Sequence, residues 1–265
     1  MYETIYHRPS SVDEAAALFA KGAESKYLAG GHTLIPVMKQ RLAAPSDVID
    51  LGKIKELIGI EPTGDGIMIR GATTHYDVAS SGTVQKAIPA LAYLASLIGD
   101  PAVRHRGTIG GSLANNDPAA DYPAAVLALN ATIVTNKREI KADDFFNGLF
   151  STTLGDGEII TRISFPVPAK FAYVKFANPA SRYALVGVAV AQTSAGPRVA
   201  VTGAGSKGVF RHKGMEGGLA KSWSAQSVSG AATSASDMMS DMHGDAAYRA
   251  HLVGVLAGRA VTKAG

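Results

Sequence analysis

Lys26-Tyr27-Leu28-Ala29-Gly30-Gly31-His32-Thr33-Leu34-Ile35-Pro36 and Gly107-Thr108-Ile109-Gly110-Gly111-Ser112 are the stretches whose reading decides the fold. Glycine reaches left-handed backbone angles cheaply, and without a Cβ it lets the chain come close to a ligand. Adjacent N–H groups in such a turn can converge on one oxyanion. In the first stretch a short strand candidate, 26–28, runs into the glycine pair. A helix from Leu34 to about Leu42 then follows, with Thr33 as its expected cap and Pro36 in its first turn, where a missing N–H costs little. Backbone N–H groups at such a helix start favour a phosphate. Each stretch ends in a hydroxyl residue, Thr33 or Ser112, able to add a donor. One cradle holds one phosphate. Two together predict a clamp on a diphosphate, hence a dinucleotide cofactor.

The composition bounds the rest. The chain has 265 residues, of which 46% are hydrophobic and 18% charged, with a formal charge of +4. That size allows one large domain or two to three small ones around a substantial core. The low charged fraction leaves room for a partner interface. No basic run supports nucleic-acid binding. There is no cysteine, which excludes thiolate zinc sites, cysteine-ligated iron–sulfur clusters and a cysteine nucleophile on this chain. No apolar run is long enough for a transmembrane segment, and the N-terminal residues lack signal-peptide character, so a cytoplasmic location is expected.

Around the two stretches the pattern is α+β. Ser11 and Glu14 fit a capping box for a first helix with Val12, Ala15, Ala16 and Phe19 on one face. Strands are expected at 47–51, 67–70 and 131–135, and helices over 84–98, broken early by Pro89, and over 122–129. Alternation puts Ile159, Thr161, Ile163 and Phe165 on one strand face. Pro166 and Pro168 then mark a boundary. Strands at 171–176, 185–191 and 198–202 have hairpin-like spacing. A last helix starts near Asp245, with Tyr248, Leu252, Val255 and Leu256 as its expected face. Residues 203–236, rich in Gly, Ala and Ser, are the least legible.

Gly203-Ala204-Gly205-Ser206-Lys207-Gly208 matches GxGxxG, but no apolar helix begins inside it and no acidic residue closes a second strand about twenty positions on. It is read as a flexible strand-to-helix turn. Arg104-His105-Arg106 offers charge to neutralise a diphosphate, but is read rather as a solvated turn or partner-facing patch. Lys175 is either a snorkelling lysine or a cofactor contact, and Tyr183 either stacks on an aromatic ring or packs in a core. No catalytic acid–base or nucleophile motif appears, which suits a frame for a cofactor with its own redox chemistry.

Residues 27–36, residues 107–123, the segment Ala180-Ser181-Arg182-Tyr183-Ala184-Leu185-Val186-Gly187-Val188-Ala189-Val190 and the terminal Tyr248-Arg249-Ala250-His251-Leu252 together resemble the FAD-binding medium subunits of molybdenum hydroxylases, the group of carbon monoxide dehydrogenase and xanthine dehydrogenase. The likeness covers almost the whole chain. It implies a vanillyl-alcohol-oxidase-type (PCMH-type) FAD-binding fold. Two α/β subdomains, 1–58 and 59–166, would be followed by a C-terminal domain, 167–265, with a three-stranded antiparallel sheet and helices. The family's cofactor contacts fall on Leu28, Ala29, Gly30, Gly31, His32, Thr33 and Leu34, on Val103, Gly107, Thr108, Gly110, Gly111, Ser112, Ala114 and Asn115, and on Asp121 at the ribityl chain. Ile159, Ile160 and Lys175 match positions near the adenine and flavin ends, and Tyr183 an aromatic residue against the isoalloxazine.

The resemblance also implies partners. A large subunit carries the molybdenum cofactor and a small subunit carries two [2Fe–2S] clusters, from which electrons reach FAD and leave to an external acceptor. The expected assembly is a dimer of heterotrimers. FAD should be non-covalent, because His32 lies at the phosphates and cysteine is absent. The alternative is a self-sufficient FAD-dependent oxidoreductase of the same fold. Substrate and electron acceptor are not encoded in this chain.

Overall fold

The computed structural model describes residues 1–265. It is built on three sheets. The first is parallel, in the order β1-β3-β2, from β1 (Ile5–His7), β2 (Ser25–Leu28) and β3 (Asp47–Asp50). Between them run α1 (Val12–Lys21) and α2 (Leu34–Lys39). Ser11 caps α1, its hydroxyl accepting from the Glu14 N–H. The return half of the box is displaced by one residue. The Glu14 carboxylate accepts from the N–H and hydroxyl of Ser10, at 2.7 and 2.8 Å. Helix α2 stops at Lys39, short of the expected Leu42, and Thr33 makes no side-chain cap bond to it.

The second sheet is antiparallel, in the order β4-β5-β8-β6-β7. Its strands are β4 (Ile60–Pro62), β5 (Gly66–Arg70), β6 (Thr132–Thr135), β7 (Glu139–Lys141) and β8 (Ile160–Pro166). Six helices lie between β5 and β6: α3 (His75–Ser80), α4 (Gly82–Ala87), α5 (Pro89–Ser96), α6 (Pro101–Arg104), α7 (Ile109–Asn115) and α8 (Tyr122–Ala128). The chain breaks at Ile88, as Pro89 requires. The second glycine pair is not a loop. Gly110 and Gly111 lie in the first turn of α7, behind the N-cap Thr108. The alternation expected along β8 also fails in part. The β6–β8 register slips between Val134 and Thr135, and this bulge puts Ile160, rather than Thr161, on the buried face.

The third sheet is antiparallel, in the order β12-β11-β10-β9, from β9 (Lys170–Ala177), β10 (Ala184–Thr193), β11 (Gly196–Thr202) and β12 (Phe210–Arg211). The two-residue β12 makes it four-stranded rather than three. After the GxGxxG stretch comes this strand, not a helix. The illegible region folds as β12, α9 (Lys213–Lys221) and α10 (Ala225–Ser229). The chain ends in α11 (Ala246–Ala264), capped by Asp245. Its buried face runs through Arg249, Leu252, Val253, Leu256, Ala257 and Ala260, so Tyr248 and Val255 lie beside it.

Residues 184–191 of β10 are all buried, because both faces of the third sheet are covered. Side chains alternate across a strand. Val186, Val188 and Val190 pack toward α11 in one cluster with Val253 and Leu256. Ala189 and Ala191, with Tyr173 and Ala200, belong to the large core shared with α5 and α8. Arg249 is the polar anchor of α11, donating to the carbonyls of Leu185 (2.7 Å) and Gly203 (2.6 Å). No helix is long and apolar enough to cross a membrane.

Polar bonds fix the third sheet to the segment between α7 and α8. The Thr202 hydroxyl is 3.1 Å from the Pro118 carbonyl and 2.7 Å from that of Ala120, and the Gly203 N–H donates to Pro118. The Tyr173 hydroxyl donates to one oxygen of Asp121, and Lys175 Nζ lies 2.9 Å from the other. Lys175 also donates to the Leu97 carbonyl. The pair is buried, with side-chain exposures of 3% and 4%. Burial pushes the Asp121 carboxyl up, and the Lys175 ammonium and the Tyr173 hydroxyl pull it back. Lys175→Met is therefore expected to destabilise the chain by roughly 3–5 kcal/mol at neutral pH, by leaving a buried carboxylate uncompensated. A folded pKa raised above the unfolded value gives stability that is present in acid and is lost as pH rises through the folded value. The variant's deficit in urea unfolding should thus be smaller at pH 5 than at pH 8. A deficit independent of pH would show that Asp121 is not the group left charged.

Candidate functional site

A cleft of about 690 Å³ runs between the first sheet, the α3–α8 layer and the edge of the third sheet. Every residue expected from the sequence to contact the cofactor lines it: 28–34, Val103, Gly107, Thr108, Gly110–Ser112, Ala114, Asn115, Asp121, Ile159, Ile160, Lys175 and Tyr183. The volume lies within the ~300–1,000 Å³ common for small-molecule and cofactor sites.

The first stretch forms a cradle. Leu28 accepts from the Leu51 N–H, and the chain then leaves the sheet. Gly31 has φ +78°, a left-handed angle that turns the chain toward α2. From Ala29 to Leu34 no backbone N–H donates to another group of the chain, and the Thr33 hydroxyl makes no bond either. A run of unpaired donors along a cleft wall is a place for an anion.

The second stretch differs. The N–H groups of Gly107, Ile109, Gly110, Gly111 and Ser112 are all used, on Val103 O, Thr73 O, Gly71 O, Thr108 Oγ1 and Thr108 O. Of this stretch only Thr108 keeps a free N–H. Its glycines serve close packing instead. A Cβ on Gly110 would lie 2.5 Å from the Gly71 carbonyl oxygen, and one on Gly107 2.6 Å from His75 Nε2. A Cβ on Gly30 would collide with the Arg106 carbonyl and come within 2.6 Å of Gly107 Cα. The two stretches therefore rest on each other, backbone against backbone. The expected symmetrical pair of cradles is one cradle and one packed buttress, whose ligand groups toward the cleft are the unpaired Ser112 hydroxyl and Asn115 amide.

The cleft's two ends differ in chemistry. Near one lie Asp121, Lys175 and the half-exposed Tyr183, whose hydroxyl is pushed up by burial and by the charges of Asp117 and Asp121. Lys175 is thus neither snorkelling nor free: it is the buried partner of Asp121. Tyr183 is held at a turn in which Asn178 donates its N–H to the Tyr183 carbonyl and Arg182 has φ +62°. The other end is apolar, with Leu51, Leu57, Ala72, Ile159 and Ile160. Glu158 there is already engaged. Burial alone would raise its carboxyl, but bonds from Arg138, the Gly155 N–H and Thr135 hold it at about 2.

Arg104-His105-Arg106 does not line the cleft. Arg104 donates to the carbonyls of Ile98 and Gly99, and His105 stacks on Tyr76 at 4.0 Å. Gly71 and His75 line the cleft but were not singled out. Gly71 carries a signal only in three dimensions, where a Cβ would strike the Ile160 carbonyl. His75 sits in a Thr-Thr-His segment that reads as a plain helix start.

The chain resembles known proteins over nearly its whole length. The family described as the FAD binding domain in molybdopterin dehydrogenase matches residues 1–168. The chain is 37% identical to the carbon monoxide dehydrogenase medium chain of Hydrogenophaga pseudoflava, over 98% of this chain and 96% of that one. It is 38% identical to the nicotine 6-hydroxylase medium subunit of Paenarthrobacter nicotinovorans, with the same coverage. Its structure resembles that of carbon monoxide dehydrogenase from Hydrogenophaga pseudoflava with a TM-score of 0.91, at 36% identity, covering 99% of this chain and 97% of that one. The free N–H cradle, the glycine contacts that hold it open and the polar end at Asp121 fit an FAD. The chain belongs to the family of FAD-binding medium subunits of molybdenum hydroxylases, and it is an oxidoreductase subunit.

Proposed function

We propose that the cleft binds one FAD non-covalently, and that this chain carries electrons from the [2Fe–2S] clusters of a small partner subunit to an external acceptor. Substrate oxidation then belongs to a large subunit with the molybdenum cofactor, in a cytoplasmic dimer of heterotrimers. The observation that carries the reading is the row of unpaired N–H groups from Ala29 to Leu34 along the cleft. Such donors suit a diphosphate. Thr108, Ser112 and Asn115 add donors from the opposite wall. Asp121 is assigned to the ribityl chain and Tyr183 to the isoalloxazine, with Ile159 and Ile160 toward the adenine. Bound there, FAD supplies the redox chemistry. The chain's own residues bind, orient and shield it, and none is assigned as an acid or base. The division 1–58, 59–166 and 167–265 places two segments along the dinucleotide and the third over its flavin end. The absence of cysteine suits this reading, since the clusters then have to lie on a partner.

Purified protein is expected to be yellow and to release its flavin into the supernatant on acid precipitation. Flavin that stays with the pellet would overturn non-covalent binding, and a colourless protein that takes up no added FAD would overturn the assignment. Gly30→Val is expected to yield folded chain without flavin, because the side chain pushes the cradle off Arg106 and Gly107. Circular dichroism and flavin absorbance of the variant check this together. Full flavin occupancy in the variant would show that the contact does not shape the cradle.

A further inference from the structure

His75 lines the cleft, and nothing above gives its side chain a task. It opens α3, its N–H donates to the Gly107 carbonyl at 2.9 Å, and it is 5% exposed. Its Nδ1 is buried without a partner. Its Nε2 also bonds to nothing in the chain and is the nitrogen beside Gly107, where a Cβ would come within 2.6 Å. The residue lines the cleft, so that nitrogen stands at the wall where Gly30 of the cradle rests on Gly107.

The surroundings say what an imidazole there has to meet. The 29–34 segment offers six unpaired N–H donors, from Ala29 to Leu34, and Thr108 adds another. No chain carbonyl or carboxylate accepts from either ring nitrogen of His75. Burial, with the charges of His32 and Arg104, holds its pKa down to about 4, so at neutral pH the ring is neutral and carries one N–H. A neutral imidazole has one N–H and one bare nitrogen; with the N–H on Nε2, at the cleft wall and unpaired within the chain, it takes an acceptor from outside the chain, and an anion with several oxygens fits a site ringed by N–H groups. The second arm has spent almost all of its backbone donors, and a side chain makes up the shortage.

We propose that His75 is a further cofactor-binding residue, with Nε2–H donating to the diphosphate of the bound dinucleotide opposite the 29–34 cradle. The proposal rests on the FAD assignment made above. A hydrogen bond to a charged group is worth enough that its loss weakens binding about tenfold or more. A ring that only fills space would be replaced equally well by any side chain of its size.

The test uses the full chain stripped of flavin and titrated with FAD. His75→Leu, which keeps bulk and removes the donor, is expected to raise Kd about tenfold or more. His75→Gln, which returns an N–H near the same place, should stay within about threefold of the parent. In the parent chain, labelled with ¹⁵N-histidine, adding FAD should move the His75 ring resonance, assigned by its loss in His75→Gln. That readout holds even if the leucine variant does not fold. Equal weakening by Leu and Gln, or a His75 resonance that FAD leaves unmoved, overturns the proposal. A parent chain that binds no FAD at all overturns the underlying assignment instead.

Discussion

One close approach organises the molecule: Gly30 of the first sheet's loop lies directly on Arg106 and Gly107 of the α6–α7 turn. A side chain on Gly30 would strike Arg106 and Gly107. The approach brings the end of a parallel sheet to the start of α7, and the cleft is the space left beside that contact. The neighbouring glycines extend the same logic inward. Gly107 sits against His75, Gly110 against Gly71, and Gly71 against the Ile160 carbonyl. A series of missing Cβ atoms thus runs from the cradle to the bulged start of β8. Interiors packed at crystal-like density transmit a misfit along such a series, so the cradle's position depends on residues that never meet a ligand.

The same contact explains why two similar glycine pairs do unlike work. After Leu28 the chain is free of the sheet, and the left-handed Gly31 leaves six successive N–H groups without a partner. After Thr108 the chain enters α7 at once. Its N–H groups are consumed by the cap, by the helix and by the β-like pairing of Thr73 and Gly71 with Ile109 and Gly110. An unpaired buried N–H is expensive. A wall with a free row of them is tolerable only where it borders a site that water or a ligand can occupy. Both pairs border the cleft, but only the first keeps such a row.

Much of this was legible in the sequence, because periodicity and glycine pairs are local signals. The α1 cap at Ser11, the β2–Gly-Gly–α2 order, the break at Pro89 and the strands of the third sheet could all be read from neighbouring residues. The misreadings share a cause, which is that tertiary contacts decided the matter. Ile160 replaces Thr161 on the buried face because of a bulge set by pairing with β6. On α11, Leu252 and Leu256 are buried as expected, but Arg249 and Val253 are buried in place of Tyr248 and Val255, Arg249 reaching the carbonyls of Leu185 and Gly203, residues far off in sequence. Gly110 looks like a cradle residue until Gly71 is found beneath it. Lys175 and Asp121 could each be named as candidates, but their pairing joins residues on either side of the expected boundary near Pro166.

That pairing bears on how the polar end of the cleft works. A carboxylate alone in so buried a place would sooner take up a proton than stay ionised. With the Tyr173 hydroxyl on one oxygen and the Lys175 ammonium on the other, Asp121 is fixed in orientation before any ligand arrives. Both of those partners come from β9, and Thr202 of β11 fixes the carbonyls of Pro118 and Ala120 just upstream. The third sheet is therefore a structural part of the site rather than a cover laid over it. It sets the loop that carries Asp121, it holds Tyr183 at the head of β10, and its second face is packed under α11. Preorganisation of this kind needs a rigid support on both sides of the sheet. It accounts for an apolar, doubly buried β10 whose valines and alanines divide the two cores between them.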